Sequence, residues 1–352
     1  METEVYFSAL KKGQGHADCF KALISGIETF VRQFSEGSFV GIKMTVGDEK
    51  STGHIKPEVV RVLVDKLKEQ GARPFVFDTN VIYCGQRQNA VDHLELAYRK
   101  GFTPGNLGCP YIIADSVFGT DSRSVKVDFH NVKEIKVPSL VTVMDDLIVL
   151  SHVTGHIMSG FASSMKNVAM GMASRAGKQI QHSSLKPYID TAKCTLCGTC
   201  IEHCPVSAIS EHSGTAFINS NLCIGCCECI SACKLDAVNI NWQEDAAIFA
   251  ERMAEYACGI LSLIKKKLFF NFAFDVTNEC DCIAGDDPRI IGDTGIFASK
   301  DVLAVDKACF DMLTQSRDIF SRGGRISAHL HEFEYAQKIG LGSARYKLVE
   351  VA

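Results

Sequence analysis

Two runs of cysteine constrain this chain more than any other feature. Cys194, Cys197, Cys200 and Cys204 have the spacing Cys-x-x-Cys-x-x-Cys-x-x-x-Cys and are followed by Pro205; Cys223, Cys226, Cys229 and Cys233 repeat the spacing. Three thiolates two residues apart lie on one tight loop and can wrap three irons of a cubane. The fourth follows too far along to reach that cluster and ligates the other one. The spacing therefore predicts two 4Fe–4S clusters in a module of the bacterial ferredoxin type. Cys194, Cys197, Cys200 and Cys233 would hold one cluster, and Cys223, Cys226, Cys229 and Cys204 the second. Residues 206–209 and 235–240 are matching apolar segments that would cover them. Zinc is the plainer reading of clustered cysteines, but it takes four ligands, often as two Cys-x-x-Cys pairs. Two four-cysteine runs with a proline after the first suit clusters better. Cys227, inside the second run, reads as a packing residue. A cluster pair of this kind relays single electrons, with a purely structural role as the duller alternative.

The chain has 352 residues, 16 of them cysteine, and the two repeats of the spacing use half of the cysteines. A disulfide framework belongs to short secreted chains; a long chain with clustered cysteines more often holds metal in a reducing compartment. The first residues are acidic and contain no long apolar stretch, so no signal peptide is expected. No apolar run approaches the roughly 18 residues of a membrane span. The expected location is the cytoplasm. The formal net charge of −4 gives no reason to expect nucleic acid or an anionic membrane as partner.

Outside the cysteine runs, helical and strand patterns alternate, which implies an α/β domain. Residues 17–34 read as an amphipathic helix and 39–45 as a strand. Pro57 opens a helix that runs to about residue 70, ended by Gly71. Residues 74–78 (PFVFD) form a short buried strand, and 87–100 a helix stopped by Gly101. Residues 111–114, 125–127 and 135–137 look like strands, and 147–151 (LIVLS) like a strand buried on both faces of a parallel sheet. From residue 188 to 242 large aliphatics thin out, after which the α/β texture returns. Helices are expected over 244–263, 301–321 and 329–339, and strands over 268–274 and 346–351. The fold class is thus a large α/β domain with an inserted two-4Fe–4S, ferredoxin-like (α+β) module. The domain is discontinuous, 1–187 and 243–352, and the module spans 188–242. Two α/β halves joined by the module remain the alternative.

Polar residues gather where strands end, the usual place for ligands in open α/β sheets. Asn80, Arg87, Asn89 and His93 follow the PFVFD strand. His152, His156, Lys166 and Asn167 follow LIVLS. Cys280, Asp281, Cys282 and Asp286 come near the end. Arg87, Lys166 and their neighbours are candidate ligands for a small anionic substrate. Each has a duller reading, as a buried histidine, a surface charge or a helix cap. Cys280-x-Cys282 suits an additional metal, a third cluster or a redox pair, with His152 or His156 completing a mixed site, whereas a disulfide between the two would be strained by geometry. Cys19, Cys109, Cys258 and Cys309 stand in apolar contexts and read as packing residues. No Gly-x-Gly-x-x-Gly follows a strand and no Walker-type loop is present, so neither nicotinamide nor flavin is supported.

Four further stretches carry a resemblance: SHVTGHIMSGFASSMKNVAMGMASRAGK (151–178), DTNVIYCGQRQNAVDHLELAYRKGF (78–102), MAEYACGIL (253–261) and the segment 278–306. Over nearly its full length the chain resembles the iron-sulfur centre proteins of the domain-of-unknown-function 362 family. Thr154 stands where that family usually has lysine, Val302 where it has proline, and Cys84 is also a departure. The resemblance implies a cytoplasmic α/β protein with a ferredoxin insert and supplies no established reaction. Taken together, the expectation is a redox enzyme. Its clusters take single electrons from a partner protein and feed a substrate or metal site in the α/β domain. An electron carrier or adaptor without its own substrate, or clusters with a structural or sensing role, are the alternatives.

Overall fold

The computed structural model describes residues 2–351 except 35, 84, 157, 184–186, 226–228, 230, 231, 236, 240–243, 283, 284, 286, 316–318 and 321–327. Cys84, Cys226, Cys227 and Asp286 therefore lie outside the described residues. The fold is mixed α/β, built on one eight-stranded sheet whose strands we number in chain order. They are β1 (Thr3–Ala9), β2 (Phe39–Lys43), β3 (Arg73–Asp78), β4 (Tyr111–Ile113), β5 (Asp146–His152), β6 (Lys266–Ala273), β7 (Gly295–Ser299) and β8 (Tyr346–Glu350). Their spatial order is β8-β1-β7-β6-β5-β2-β3-β4. The run from β6 to β4 is parallel. β7 is antiparallel to both β6 and β1, and β8 is parallel to β1.

The strand β5 reads as a continuous apolar run because both of its faces are covered. Ile148 and Leu150 share one core with Ile42, Val76 and Phe270 and with Phe20 and Leu63 from helices. Leu147 and Val149 point the other way, into a second core with Phe77, Phe269, Met165, Phe249 and Leu303. The split follows the two-residue period of a pleated strand. Each of these side chains contributes about 1.5–3 kcal/mol by leaving water.

The connections decide where a ligand can sit. The β2–β3 crossover carries the Pro57–Glu69 helix, which starts on proline and packs Val59, Val60, Leu63, Val64 and Leu67 into the first core. The β5–β6 crossover carries the Ser164–Ala169 and Glu244–Ser262 helices, whose Met165, Phe249, Met253 and Ile260 enter the second core. Neighbouring strands β2 and β5 thus send their helices to opposite faces, which leaves a crevice beyond their carboxyl ends.

Several boundaries differ from the pattern-based reading. The expected helix over 17–34 is His16–Gly26 followed, after Ile27, by a separate turn Glu28–Val31. The helix expected from Arg87 begins at Ala90, because the Asn89 side chain accepts the Asp92 N–H at 3.0 Å and caps it. Between the Arg175–His182 and Glu244–Ser262 helices, Tyr188–Ile189 pairs antiparallel with Val238–Asn239, and Ile209–His212 forms a hairpin with Thr215–Ile218. No helix among the described residues is long and apolar enough to cross a membrane.

Candidate functional site

A cavity of about 190 Å³ opens beyond the carboxyl ends of β2, β3 and β5. Each strand delivers its last residue to the wall: Lys43, Asp78 and His152. Four cationic side chains, Lys43, Arg87, Lys166 and Lys178, line the cavity against two carboxylates, Asp78 and Asp281. The balance favours an anion.

Lys43 and Asp78 form a nearly fully buried pair, with Nζ 3.0 Å from Oδ1. Burial works to raise the Asp78 pKa, and the cations around it, Lys43 foremost, outweigh this and hold it below the ordinary carboxylate value. Lys43 Nζ also donates to Asn167 Oδ1 at 2.7 Å, and Asn167 Nδ2 donates back to the β5 carbonyl of Leu150 at 3.0 Å. Arg87 donates to Thr45 Oγ1 at 2.7 Å and to the Tyr83 hydroxyl, with Asp48 3.7 Å and Asp78 3.9 Å away. Lys178 donates to Thr79 Oγ1 at 2.5 Å and to the Ala173 carbonyl at 2.7 Å. Lys166 differs: its ammonium makes no hydrogen bond or ion pair with the described residues. Burial lowers the pKa of Lys166 and of Lys178 to about 8.

At the other wall, the loop after β6 brings in Cys280, Asp281 and Cys282. Asp281 anchors it: Ser51 Oγ donates to Oδ1 at 2.8 Å, His152 Nδ1 lies 2.7 Å from Oδ2, and the Asp48 N–H donates to the Asp281 carbonyl at 2.7 Å. Gly155 lets the loop come close. Its N–H donates to the Thr277 carbonyl at 2.8 Å, and a Cβ there would stand 2.1 Å from the Asn278 carbonyl oxygen. His152 Nε2 faces the Phe274 carbonyl at 2.7 Å. Both of its nitrogens face acceptors, so both donate and the ring is an imidazolium. Burial opposes that charge, and the contact with Asp281 outweighs burial and raises the His152 pKa. His152 is accordingly not a ligand of the mixed cysteine/histidine group expected from the sequence, because it has no lone pair to offer. The donor atoms of His156, Cys280 and Cys282 do lie within 4.8 Å of one another, a group able to hold a metal ion. Cys280 and Cys282 are joined through their sulfurs, with Cα atoms 5.2 Å apart.

Of the substrate-binding candidates read from the sequence, Arg87, Lys166 and Asn167 line the cavity. Asn80 does not: its Nδ2 is spent on Asp115 Oδ1 at 3.0 Å and the Ser116 carbonyl at 2.8 Å. Asn89 is the helix cap. His93 is fully buried behind Asp78, 3.7 Å from its Oδ2, and burial lowers its pKa to about 3. Lys43, Lys178 and His182 line the cavity without having been singled out by sequence. A lysine closing the apolar strand FVGIK was the one available signal.

Cys194, Cys197, Cys200 and Cys233 line a second, small cavity together with Leu196, Ala216 and Val238. These cysteines, with Cys204, Cys223 and Cys229, are unbridged. Backbone N–H groups point at the sulfurs: Ala216 to Cys194 at 3.4 Å, Ala237 to Cys233 at 3.3 Å, Ala208 to Cys204 at 3.2 Å and Gly225 to Cys223 at 3.4 Å. The contacts from Ala208 and Ala237 each reach back four residues, one motif used twice. The Thr199 hydroxyl lies 3.5 Å from Cys197 Sγ and holds that thiol below its ordinary pKa. Among the described residues, no carboxylate, lysine or histidine lines this cavity. The donor set therefore fits an iron–sulfur cluster. His182 connects the two regions. It lines the large cavity, is hydrogen-bonded to the Gly225 backbone, and has a buried Nδ1 without a partner among the described residues. Burial lowers its pKa to about 4. Cys19, Cys109 and Cys309 are buried in the two cores, and Cys258 is half-buried.

The family model described as Domain of unknown function (DUF362) matches residues 40–311. Curated proteins yield no match. Among solved structures, the lactate racemase apoprotein from Thermoanaerobacterium thermosaccharolyticum aligns at 13% identity and a TM-score of 0.39, covering 78% of this chain and 51% of that one. A protein from Thermotoga maritima aligns at 13% identity and a TM-score of 0.39, covering 80% of this chain and 56% of the other. The chain thus spans about half the length of these structures.

Proposed function

We propose, from the premise that the chain belongs to the DUF362 family, that it is a two-cluster iron–sulfur oxidoreductase whose cysteine module delivers electrons to a small anionic substrate in the cationic cavity. One observation carries the reading. Cys233, from the second run, shares a cavity with Cys194, Cys197 and Cys200 of the first, while Cys204 does not line it. The crossed ligation of paired cubanes would call for this grouping; a zinc site closed within one run would use Cys204 instead. When bound, such clusters accept and release electrons one at a time.

The remaining roles fall to side chains of the α/β domain. Among the described residues Lys166 makes no hydrogen bond or ion pair, and it takes the anion. Arg87, fixed by Thr45 and Tyr83, presents a preorganised second cation. The Lys43–Asp78 pair holds Asn167 and the strand ends in register. His182, bonded to the backbone of the second cysteine run, sets the module against the cavity wall. The module also exposes Val206, Phe217, Leu222 and Leu235, apolar surface suited to a redox partner protein. A carrier without a substrate of its own has no use for a cationic cavity beside the module, which favours the enzyme reading.

Anaerobic purification with iron, sulfide and zinc analysis, plus EPR of the reduced protein, tests this. About eight iron atoms per chain are expected from two cubanes. Four or fewer, or zinc in their place, overturns the reading.

A further inference from the structure

We infer that Cys280 and Cys282 form a redox-active pair at the wall of the cationic cavity, cycling between disulfide and dithiol on electrons delivered by the cysteine module. The inference rests on the two-cluster reading for its source of electrons and on the cavity alone for the pair itself.

The sulfurs are joined, and their Cα separation of 5.2 Å lies within the usual disulfide range. A metal ion is the competing occupant, and the surrounding nitrogens and oxygens speak against it. His156 Nδ1 accepts the backbone N–H of Met158 at 3.3 Å and of Ser159 at 3.1 Å. With the Ser159 hydroxyl also 3.0 Å from Nδ1, these contacts occupy that nitrogen and leave at most Nε2 to meet an ion. Both nitrogens of His152 donate. Both carboxylate oxygens of Asp281 are engaged, by Ser51 and by His152. Two sulfurs and at most one ring nitrogen are left, fewer than the four ligands of a structural zinc site.

The loop is anchored at the residue between the two sulfurs. Asp281, between the two cysteines, is tied by its side chain to Ser51 and His152 and by its carbonyl to the Asp48 N–H. The module lies close by. His182 lines the same cavity as the pair and is bonded to Gly225, two residues beyond Cys223. The Phe249 ring packs 4.9 Å from His182 and 6.4 Å from His156, centroid to centroid.

The electrons balance. Disulfide, two electrons and one proton give one thiol and one thiolate; the S–S bond breaks and the proton comes from solvent. Two clusters held by the module would supply the two electrons singly, and the pair would store them together. Lys166, which lines the same cavity, is the cation available to a thiolate there. A small anion that takes two electrons together is the substrate class such a store serves.

The test uses full-length protein, handled without air and first oxidised with thionine. It is reduced with titanium(III) citrate, quenched in acid, alkylated in denaturant and digested with trypsin. The peptide 268–289 contains Cys280 and Cys282 and no other cysteine. Neither should be alkylated before reduction and both afterwards. Cys197→Ser should slow opening by titanium(III) at least tenfold and leave opening by a phosphine in denaturant unchanged. Alkylation of both cysteines in the oxidised protein overturns the pair, as does one equivalent of zinc or nickel that Cys282→Ser abolishes. An unchanged titanium(III) rate in Cys197→Ser overturns delivery from the module. Eight irons with no disulfide would sink this inference alone; a disulfide without iron would sink the two-cluster reading and, with it, delivery.

Discussion

His152 Nδ1 lies 2.7 Å from Asp281 Oδ2 in a pair whose side chains are only 3% and 8% exposed. The pair spans 129 residues of sequence and fixes the loop that carries Cys280 and Cys282 to the end of β5. Removing one partner leaves an uncompensated buried charge, which costs about 3–5 kcal/mol. His152→Ala should lower the free energy of unfolding by that amount in chemical denaturation; unchanged stability would refute the pairing. The pH dependence has two sides. The His152 pKa is raised, so its contribution is full below the ordinary histidine value and fades as pH rises through the raised one. The Asp281 pKa is depressed, so its contribution is full above the ordinary carboxylate value and fades as pH falls through the depressed one.

Lys166 sets a different pH dependence. Burial lowers its pKa to about 8, so it loses its charge as pH rises through that value. Sulfate binding, followed by calorimetry, should weaken over the same interval. Lys166→Gln should cost about tenfold or more in affinity, the worth of one hydrogen bond to a charged group. It should also reduce the step near pH 8, leaving whatever Lys178 contributes. A variant that binds sulfate as tightly as the parent would remove Lys166 from the site.

Gly155→Ala tests the close approach of the sulfur loop. The new methyl would press on the Asn278 carbonyl, which belongs to the backbone and cannot swing away. Overpacking of this kind costs about 1–3 kcal/mol. Both a lowered melting temperature and slower reductive opening of the Cys280–Cys282 pair are expected. Full activity of the pair in a stable Gly155→Ala protein would show that the loop does not depend on this contact.

The cysteine module makes a prediction about which losses go together. Cys233→Ser should extinguish the same EPR signal as Cys194→Ser, although Cys233 belongs to the other run. Cys204→Ser should match Cys223→Ser. Signals that sort by run would contradict the sharing implied by the cavity around Cys194 and Cys233.

Much of the sheet was legible in advance because its signals are local. Pro57 marks a helix start, and LIVLS and PFVFD mark strands covered on both faces. The strands β1 and β7 were not, since their pairing with each other and with β6 and β8 is set by distant partners rather than by their own pattern. The site was legible only as residue types near strand ends. Arg87 and Lys166 share a chemical signature with Asn89 and His93, yet the first two reach the cavity while Asn89 caps a helix and His93 lies behind Asp78. Direction of approach separates them, and that depends on which face each crossover takes. Lys43 and Lys178 hid for the converse reason. A lysine at a strand end or in a polar helix normally reads as solvated, and only the packing around it makes it a buried cation. The protonation of His152 and the contacts of His156 Nδ1 follow from acceptors and donors that no spacing rule brings together.

The small cavity shared by Cys194, Cys197, Cys200 and Cys233 bears on how the protein is made. Cys233 lies 33 residues after Cys200 (233 − 200). At roughly 5–20 residues per second, a ribosome needs about 2–7 s to bridge that gap. For those seconds the nascent chain displays three of the four thiols with only Cys204 at hand to close the fourth side, a grip suited to a soft ion such as zinc. On the two-cluster reading the first cubane can close only once Cys233 has been made, and a chain cut short between the two runs lacks its fourth ligand.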